Sequence, residues 1–196
     1  MQVMTPRGPA LVEIDEAARP RLLLVLTHGS AGGVDAPDLL AVRDAALAVG
    51  ASVARVTQAF RVAGARAPGS PARQDEAWEA VLDELRTRLP GLPVVQGGRS
   101  NGARVACRTA KAVGAVAVVA LAFPLHPPGK PDRSRAGELR GAGVDVLVVN
   151  GDRDPFGVPD AEDAARLVVL PGEGHDLKRD PARVGEIVAE WITRYA

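Results

Sequence analysis

Apolar and polar positions fall into alternating blocks along the chain. Arg21 to Thr27 contains the unbroken run Leu22-Leu23-Leu24-Val25-Leu26, the pattern of a strand covered on both faces. Ala51–Thr57, Leu92–Val95, Ala115–Ala122, Val144–Asn150 and Leu167–Leu170 repeat the theme as short β-branched or aliphatic runs. Between them lie segments with helical spacing. Asp35 or Asp38 can open a helix that runs to Val49 and is stopped by Gly50. Arg73–Leu89 places Trp78, Val81, Leu82 and Leu85 on one stripe, so Trp78 reads as a core anchor. Ala103–Val113 and a short Arg135–Arg140 segment follow, and Pro181–Tyr195 buries Val184, Ile187, Val188 and Trp191 behind a proline in its first turn. Strand alternating with helix predicts an α/β fold, a doubly wound and mostly parallel sheet of about six core strands.

Leu11–Ile14 predicts a further edge strand, within an N-terminal edge segment over residues 1–20. The expected organisation is one domain over residues 1–196, a length that lets about 70% of the unfolded surface be buried. Nothing in the pattern leaves room for a large cap domain. A site at the sheet edge is therefore expected to be shallow, covered only by the loops Phe60–Pro71 and Pro124–Pro131. The prolines of the second loop imply extended, rigid backbone.

Composition narrows the function. Twenty-four basic and twenty-four acidic residues cancel, which argues against a nucleic-acid partner. Aromatic residues make up 3%, too few for a base-stacking platform. Met1–Pro20 lacks the apolar stretch of a signal peptide, and the longest nearly apolar run, Ala112–Phe123, is shorter than the roughly 20 residues that span a bilayer. A cytoplasmic protein without a membrane partner is expected; the oligomeric state is left open. Cys107 is the single cysteine and reads as a buried thiol. One cysteine and three dispersed histidines build no zinc cluster, so no metal is expected.

The chemistry is concentrated at Gly97-Gly98-Arg99-Ser100-Asn101-Gly102-Ala103-Arg104, between an apolar run and a helical stretch. A Gly-x-Ser-x-Gly in strand–turn–helix context is the nucleophile elbow, in which a tight strained turn presents the serine hydroxyl. The five-residue pattern alone is weak, and Ser100 could equally be a helix N-cap. Two further features strengthen it. The strand ending at Asn150 is followed by Asp152 and Asp154, and the strand ending at Leu170 runs into Gly172-Glu173-Gly174-His175. Serine, acid and histidine thus appear in hydrolase order at three strand ends. Asp154, three residues after Gly151, is preferred over Asp152 as the acid; Asp152 fits a turn-capping role.

An oxyanion needs backbone donors. One is expected from Asn101, the residue after the nucleophile, and another from the loop His28-Gly29-Ser30-Ala31-Gly32-Gly33, at Ser30 or Ala31. That loop lacks the Lys-Ser or Lys-Thr ending of a P-loop and does not match the dinucleotide fingerprint, so no cofactor is expected. His28, Arg61, Arg66, Arg99 and His126 are candidate substrate-binding residues. For each arginine a structural ion pair is the competing role, and His126 could instead order its proline loop.

Several segments together resemble a dienelactone-hydrolase-like branch of the α/β-hydrolases. This branch includes testis-expressed protein thirty and the third subunit of the nonspecific-lethal chromatin complex. The matching pieces are His28-Gly29-Ser30-Ala31-Gly32, Arg61-x-x-Gly64-x-Arg66-x-Pro68, the elbow, Phe123 to Pro131 with its His126-Pro127-Pro128-Gly129-Lys130-Pro131, Asn150-Gly151-x-x-Asp154-Pro155-Phe156-Gly157 and Gly174-His175-Asp176-Leu177. They cover the chain from about Leu22 onward. The resemblance implies an α/β-hydrolase fold and a triad of Ser100, Asp154 and His175; it supplies no substrate. Asn101 departs from the apolar residue often found after the nucleophile, but only its backbone amide is needed. The expected function is a serine hydrolase acting on an ester or thioester of a small soluble substrate. A non-catalytic binding or scaffold module of the same fold, and an acyltransferase with the same triad, are the alternatives.

Overall fold

Leu22–Thr27 forms a strand in which every residue is buried. The computed structural model describes all of residues 1–196. In chain order its strands are β1 (Gln2–Thr5), β2 (Gly8–Asp15), β3 (Leu22–Thr27), β4 (Ala51–Thr57), β5 (Val94–Arg99), β6 (Ala117–Leu121), β7 (Asp145–Gly151) and β8 (Arg166–Leu170). They make one sheet in the order β1-β2-β4-β3-β5-β6-β7-β8. The six strands from β3 to β8 run parallel to one another, as the apolar runs predict. β1 and β2 add an antiparallel hairpin beside β4. The expected edge strand Leu11–Ile14 therefore lies inside β2, and the true edge is β1. Its four residues, two of them exposed, are too short a signal to read.

The helices are α1 (Pro37–Ala48), α2 (Ala59–Val62), α3 (Pro71–Arg88), α4 (Asn101–Thr109), α5 (Ala136–Arg140) and α6 (Pro181–Ile192). Alternation along β3 sorts them into two layers. Leu22, Leu24 and Leu26 pack with Leu39 and Val42 of α1 and with Val184, Ile187 and Trp191 of α6. Leu23 and Val25 face the other way, into a core with Trp78, Val81 and Leu85 of α3, Ala103 and Val105 of α4 and Leu139 of α5. Full burial of a leucine is worth about 1.5–3 kcal/mol. The central strand thus anchors both layers.

Trp78 is the core anchor the stripe predicts, and its indole N–H donates to Gln96 Oε1 (2.7 Å). Gln96, buried in β5, passes the connection on to the Ala106 carbonyl (2.7 Å) and the Thr109 hydroxyl (3.1 Å). This satisfied polar chain ties α3 and α4 to the strand that carries the elbow. Cys107 is fully buried, which pushes its thiol pKa up. α4 stops at Thr109, short of the expected Val113, because the chain turns there and passes through Gly114 at φ +60°. No large cap covers the carboxyl edge of the sheet, and no helix is long and apolar enough to cross a membrane.

Candidate active site

Ser100 stands between β5 and α4 with φ 54° and ψ −113°, a backbone region that L-residues rarely enter. Two contacts force the bend. The Ser100 N–H donates to the Leu121 carbonyl at the end of β6 (2.9 Å), and the start of α4 crosses the end of β3 at close range. A Cβ on Gly102 would lie 2.8 Å from both the Thr27 and the His28 carbonyl oxygens, so only glycine lets the helix approach.

Three strand ends meet at this bend. His175 Nε2 lies 2.8 Å from Ser100 Oγ, and His175 Nδ1 lies 2.7 Å from Asp154 Oδ2. An ionised carboxylate only accepts, so Nδ1 carries the proton facing Asp154 and Nε2 is free to accept from the serine hydroxyl. The second carboxylate oxygen of Asp154 accepts the Phe156 N–H (2.8 Å), which fixes the acid in its turn. Phe156 in turn stacks on the imidazole, with ring centroids 4.2 Å apart. The Asp154 side chain is fully buried. Asp152 points elsewhere and caps the β8 turn by accepting the Gly172 N–H (2.7 Å). A hydroxyl, an imidazole and a carboxylate bonded in series have the geometry of an activated nucleophile with its base and orienting group.

Side chains around the bend hold the loops in register. Asn150, buried at the end of β7, accepts the Phe123 N–H (2.8 Å) and donates to the carbonyls of Phe123 (3.1 Å) and Gly157 (3.3 Å). It therefore ties the proline loop to the turn bearing Asp154. Arg99 donates to Asp38 Oδ1 and to the Asp176 carbonyl, both at 3.3 Å, linking β5 to α1 and to the His175 loop. Burial raises the pKa of Asp38, and the Arg99 charge opposes that rise.

The serine opens into a cleft of about 580 Å³. The residues expected to donate backbone amides, Asn101, Ser30 and Ala31, all line it. The Asn101 N–H is in the first turn of α4, where no helical carbonyl can accept it. The Ser30 loop is pressed against the nucleophile: a Cβ on Gly29 would lie 3.2 Å from Ser100 Cβ. Arg99 lines the cleft as expected, while also engaged in its ion pair.

Four other candidate residues are placed outside the cleft. His28 is fully buried; its Nδ1 donates to the Gly29 carbonyl (2.7 Å) and its Nε2 accepts the Gln58 N–H (3.1 Å), leaving nothing for a ligand. Burial lowers its pKa, and the nearby Arg61 and Arg99 charges add to this effect. Arg61 and Arg66 do not line the cleft, because the Phe60–Pro71 segment begins with α2 and folds toward α3. There it walls a separate cavity of about 430 Å³, with Trp78 and Gln74 on the opposite side. The segment expected to cover the site thus covers another hollow. His126 stays beside Gly157 and donates to the Pro127 carbonyl (2.9 Å), the loop-ordering role. Of the proline loop only Pro124 reaches the cleft.

Two arginines that do line it, Arg104 and Arg135, were not among the expected site residues. Arg104 follows Ser100 by one helical turn, and that spacing was a usable signal. Arg135 comes from the distant end of the β6–α5 connection and carries no local signal.

The comparisons with known proteins bear on the fold that carries this site. The solved lidless serine hydrolase from Xanthomonas campestris superposes with a TM-score of 0.81 at 21% identity, covering 100% of this chain and 93% of its own. Dienelactone hydrolase from Anabaena variabilis gives 0.80 at 17% identity, with 100% and 96% covered. Est1E from Butyrivibrio proteoclasticus, solved with ferulic acid bound, gives 0.79 at 16% identity, with 100% and 98% covered. No curated protein matches the chain by sequence. Residues 20–193 match the family model described as an alpha/beta hydrolase domain, and the chain belongs to that family.

Proposed function

We propose that this protein is a serine hydrolase that cleaves an ester or thioester of a small substrate. The observation that carries the reading is the hydrogen-bonded line from Ser100 Oγ through His175 to the buried Asp154, opening into an uncapped cleft. Ser100 Oγ attacks the carbonyl carbon while His175 Nε2 takes the hydroxyl proton. Asp154 keeps the imidazole in its Nδ1–H form and stabilises the imidazolium. The tetrahedral oxyanion is held by the Asn101 N–H and by an amide of Ser30 or Ala31. Collapse of the intermediate breaks the bond to the alkoxide or thiolate, which leaves with the proton from His175. Water then adds to the acyl-enzyme, again giving its proton to His175, and releases the acid and free Ser100.

An open cleft favours hydrolysis, since water reaches the acyl-enzyme without a lid to displace. The dienelactone-hydrolase-like branch is the proposed subfamily, supported by the His126-Pro127-Pro128-Gly129-Lys130-Pro131 piece and by the Anabaena neighbour. The whole chain is proposed to act as one cytoplasmic domain. A fluorophosphonate probe together with short-chain aryl esters tests the function. The wild type should be labelled at Ser100 and turn over the esters, and Ser100→Ala should do neither. A wild type that is neither labelled nor active sinks the hydrolase reading and leaves a binding module.

A further inference from the structure

We propose that the cavity between the β1–β2 hairpin, α2 and α3 is a second ligand site, which binds an uncharged carboxamide carried on a small apolar body. The proposal goes beyond the hydrolase reading and does not depend on it. The hollow, of about 430 Å³, is large enough for a small organic molecule and shares no lining residue with the Ser100 cleft. Ala10 of β2, Val56 of β4, Phe60 of α2 and Trp78 and Val81 of α3 give it an apolar surface. One hydrogen bond joins the two hollows. Asn101, which lines the cleft, donates from Nδ2 to Oε1 of Gln74, which lines the cavity (2.8 Å).

Two neutral amides supply the recognition. Gln58 and Gln74 both line the cavity, and each is only 8% exposed. Gln58 Nε2 donates to the Thr27 hydroxyl oxygen (3.1 Å) and to the His28 carbonyl (3.3 Å). Both of its protons are therefore engaged, and its Oε1 has no donor in the chain. Gln74 Nε2 donates one proton to the Gly69 carbonyl (3.1 Å) and keeps the other. Both side chains are fixed by these bonds, and together they offer one acceptor and one donor. Leaving such groups unmet beside an apolar surface is costly, so a ligand that meets them is favoured. A carboxamide carries both complementary groups. A carboxylate has no proton to give, and sets a negative oxygen against Gln58 Oε1. No acidic side chain lines the cavity, which disfavours a cation. Its two arginines, Arg7 and Arg73, are exposed, and Arg7 is paired with Glu76.

The test titrates benzamide into the wild-type protein and follows the two tryptophan indole N–H signals by nitrogen-15 NMR. Trp78 lines the cavity; Trp191, buried on the other face of the sheet, is the internal control. The Trp78 signal should shift saturably, with a Kd on the order of 1 mM for so small a molecule, while Trp191 stays in place. Acetophenone keeps the carbonyl but has no N–H, and benzoate has no proton and a negative charge. Both should bind about 10-fold more weakly than benzamide. Gln58→Met removes the free acceptor and should erase the advantage of benzamide over acetophenone. Ala77→Leu, which fills the cavity from α3, should abolish the Trp78 response. A Trp78 signal that does not move overturns the site, as does acetophenone or benzoate binding as tightly as benzamide. A folded Ala77→Leu that binds like the wild type does the same. The wild-type series decides the question even where a variant fails to fold. Ser100→Ala should bind benzamide as the wild type does, so the site stands if the hydrolase reading falls. Binding lost in Ser100→Ala would place benzamide in the cleft and overturn the second site.

Discussion

The Thr27 carbonyl oxygen lies where a Cβ on Gly98 would come within 2.5 Å of it. On the other side that Cβ would meet the backbone carbon of Gly102 at 3.0 Å. Both neighbours are backbone, in β3 and α4, so neither can rotate away. The strand, the bend and the helix are clamped around a position that admits hydrogen alone. Gly98→Ala should therefore cost about 3 kcal/mol, the upper end of overpacking, and slow fluorophosphonate labelling of Ser100. Gly137→Ala is the control: this glycine in α5 has no heavy atom within 4 Å of its would-be Cβ and no positive φ. It should gain about 0.5–1 kcal/mol from a less flexible unfolded chain. Denaturant midpoints of the two variants check both signs.

Asp154 and Asp152 are two residues apart on the same turn, but only Asp154 meets His175. Asp154→Asn puts a donor against Nδ1 and favours the wrong imidazole tautomer, so ester turnover should fall by about 10⁴-fold, as in the analogous change in a well-studied triad. Asp152→Asn keeps an acceptor oxygen for Gly172 and should stay within about threefold of wild type, as one neutral hydrogen bond replaces a charge-assisted one at the rim. A large loss at Asp152 with little at Asp154 would reverse the assignment.

The place of these acidic residues, just past an apolar strand, is legible in the sequence. Covered parallel strands announce themselves as aliphatic runs, which is why β3 to β8 and the strand ends that carry Ser100, Asp154 and His175 are all legible. The spacing from Gly151 also separates Asp154 from Asp152. What was not legible depends on the path of a connection. β1 alternates over only four residues, too few for a period-2 signal. Arg61 and Arg66 look like site residues from their glycine- and proline-rich context, yet α2 turns that segment toward α3. His28 adjoins the Gly29–Gly33 loop in sequence, but strand geometry sends its side chain into the core. Arg135 reaches the cleft only because the Leu125 carbonyl accepts its N–H at 2.7 Å and folds the proline loop back.

His28 gives the fold a pH dependence of known sign. Its imidazole is neutral in the folded chain, and burial holds its pKa below the ordinary 6.5. Unfolding restores the ordinary value. Below about pH 6.5 the unfolded chain therefore binds a proton that the folded chain refuses, and stability falls as pH falls until the folded pKa is reached. The slope from one group is at most about 1.36 kcal/mol per pH unit. His28→Gln should be less stable at pH 8, through the lost Gln58 and Gly29 hydrogen bonds, but should have a flatter stability curve between pH 7 and 5. Parallel curves for wild type and variant would show that His28 does not titrate on unfolding.

The bend at Ser100 also predicts that stability and reactivity oppose one another. At φ 54° and ψ −113° a side chain costs on the order of 1–3 kcal/mol of backbone strain. Ser100→Ala and Ser100→Gly both delete the hydroxyl and its bond to His175, so both should abolish probe labelling. They differ in the Cβ. Alanine keeps the strained backbone, whereas glycine occupies the region freely but gains more entropy in the unfolded chain, about 0.5–1 kcal/mol. The balance favours glycine, and Ser100→Gly should be more stable than Ser100→Ala by about 1 kcal/mol in equilibrium denaturation. The usual order for a glycine–alanine pair at an unstrained position is the opposite. An Ala variant as stable as the Gly variant or more so would mean that the elbow stores no strain, and that the hydroxyl is presented by the close packing of β3, β5 and α4 alone.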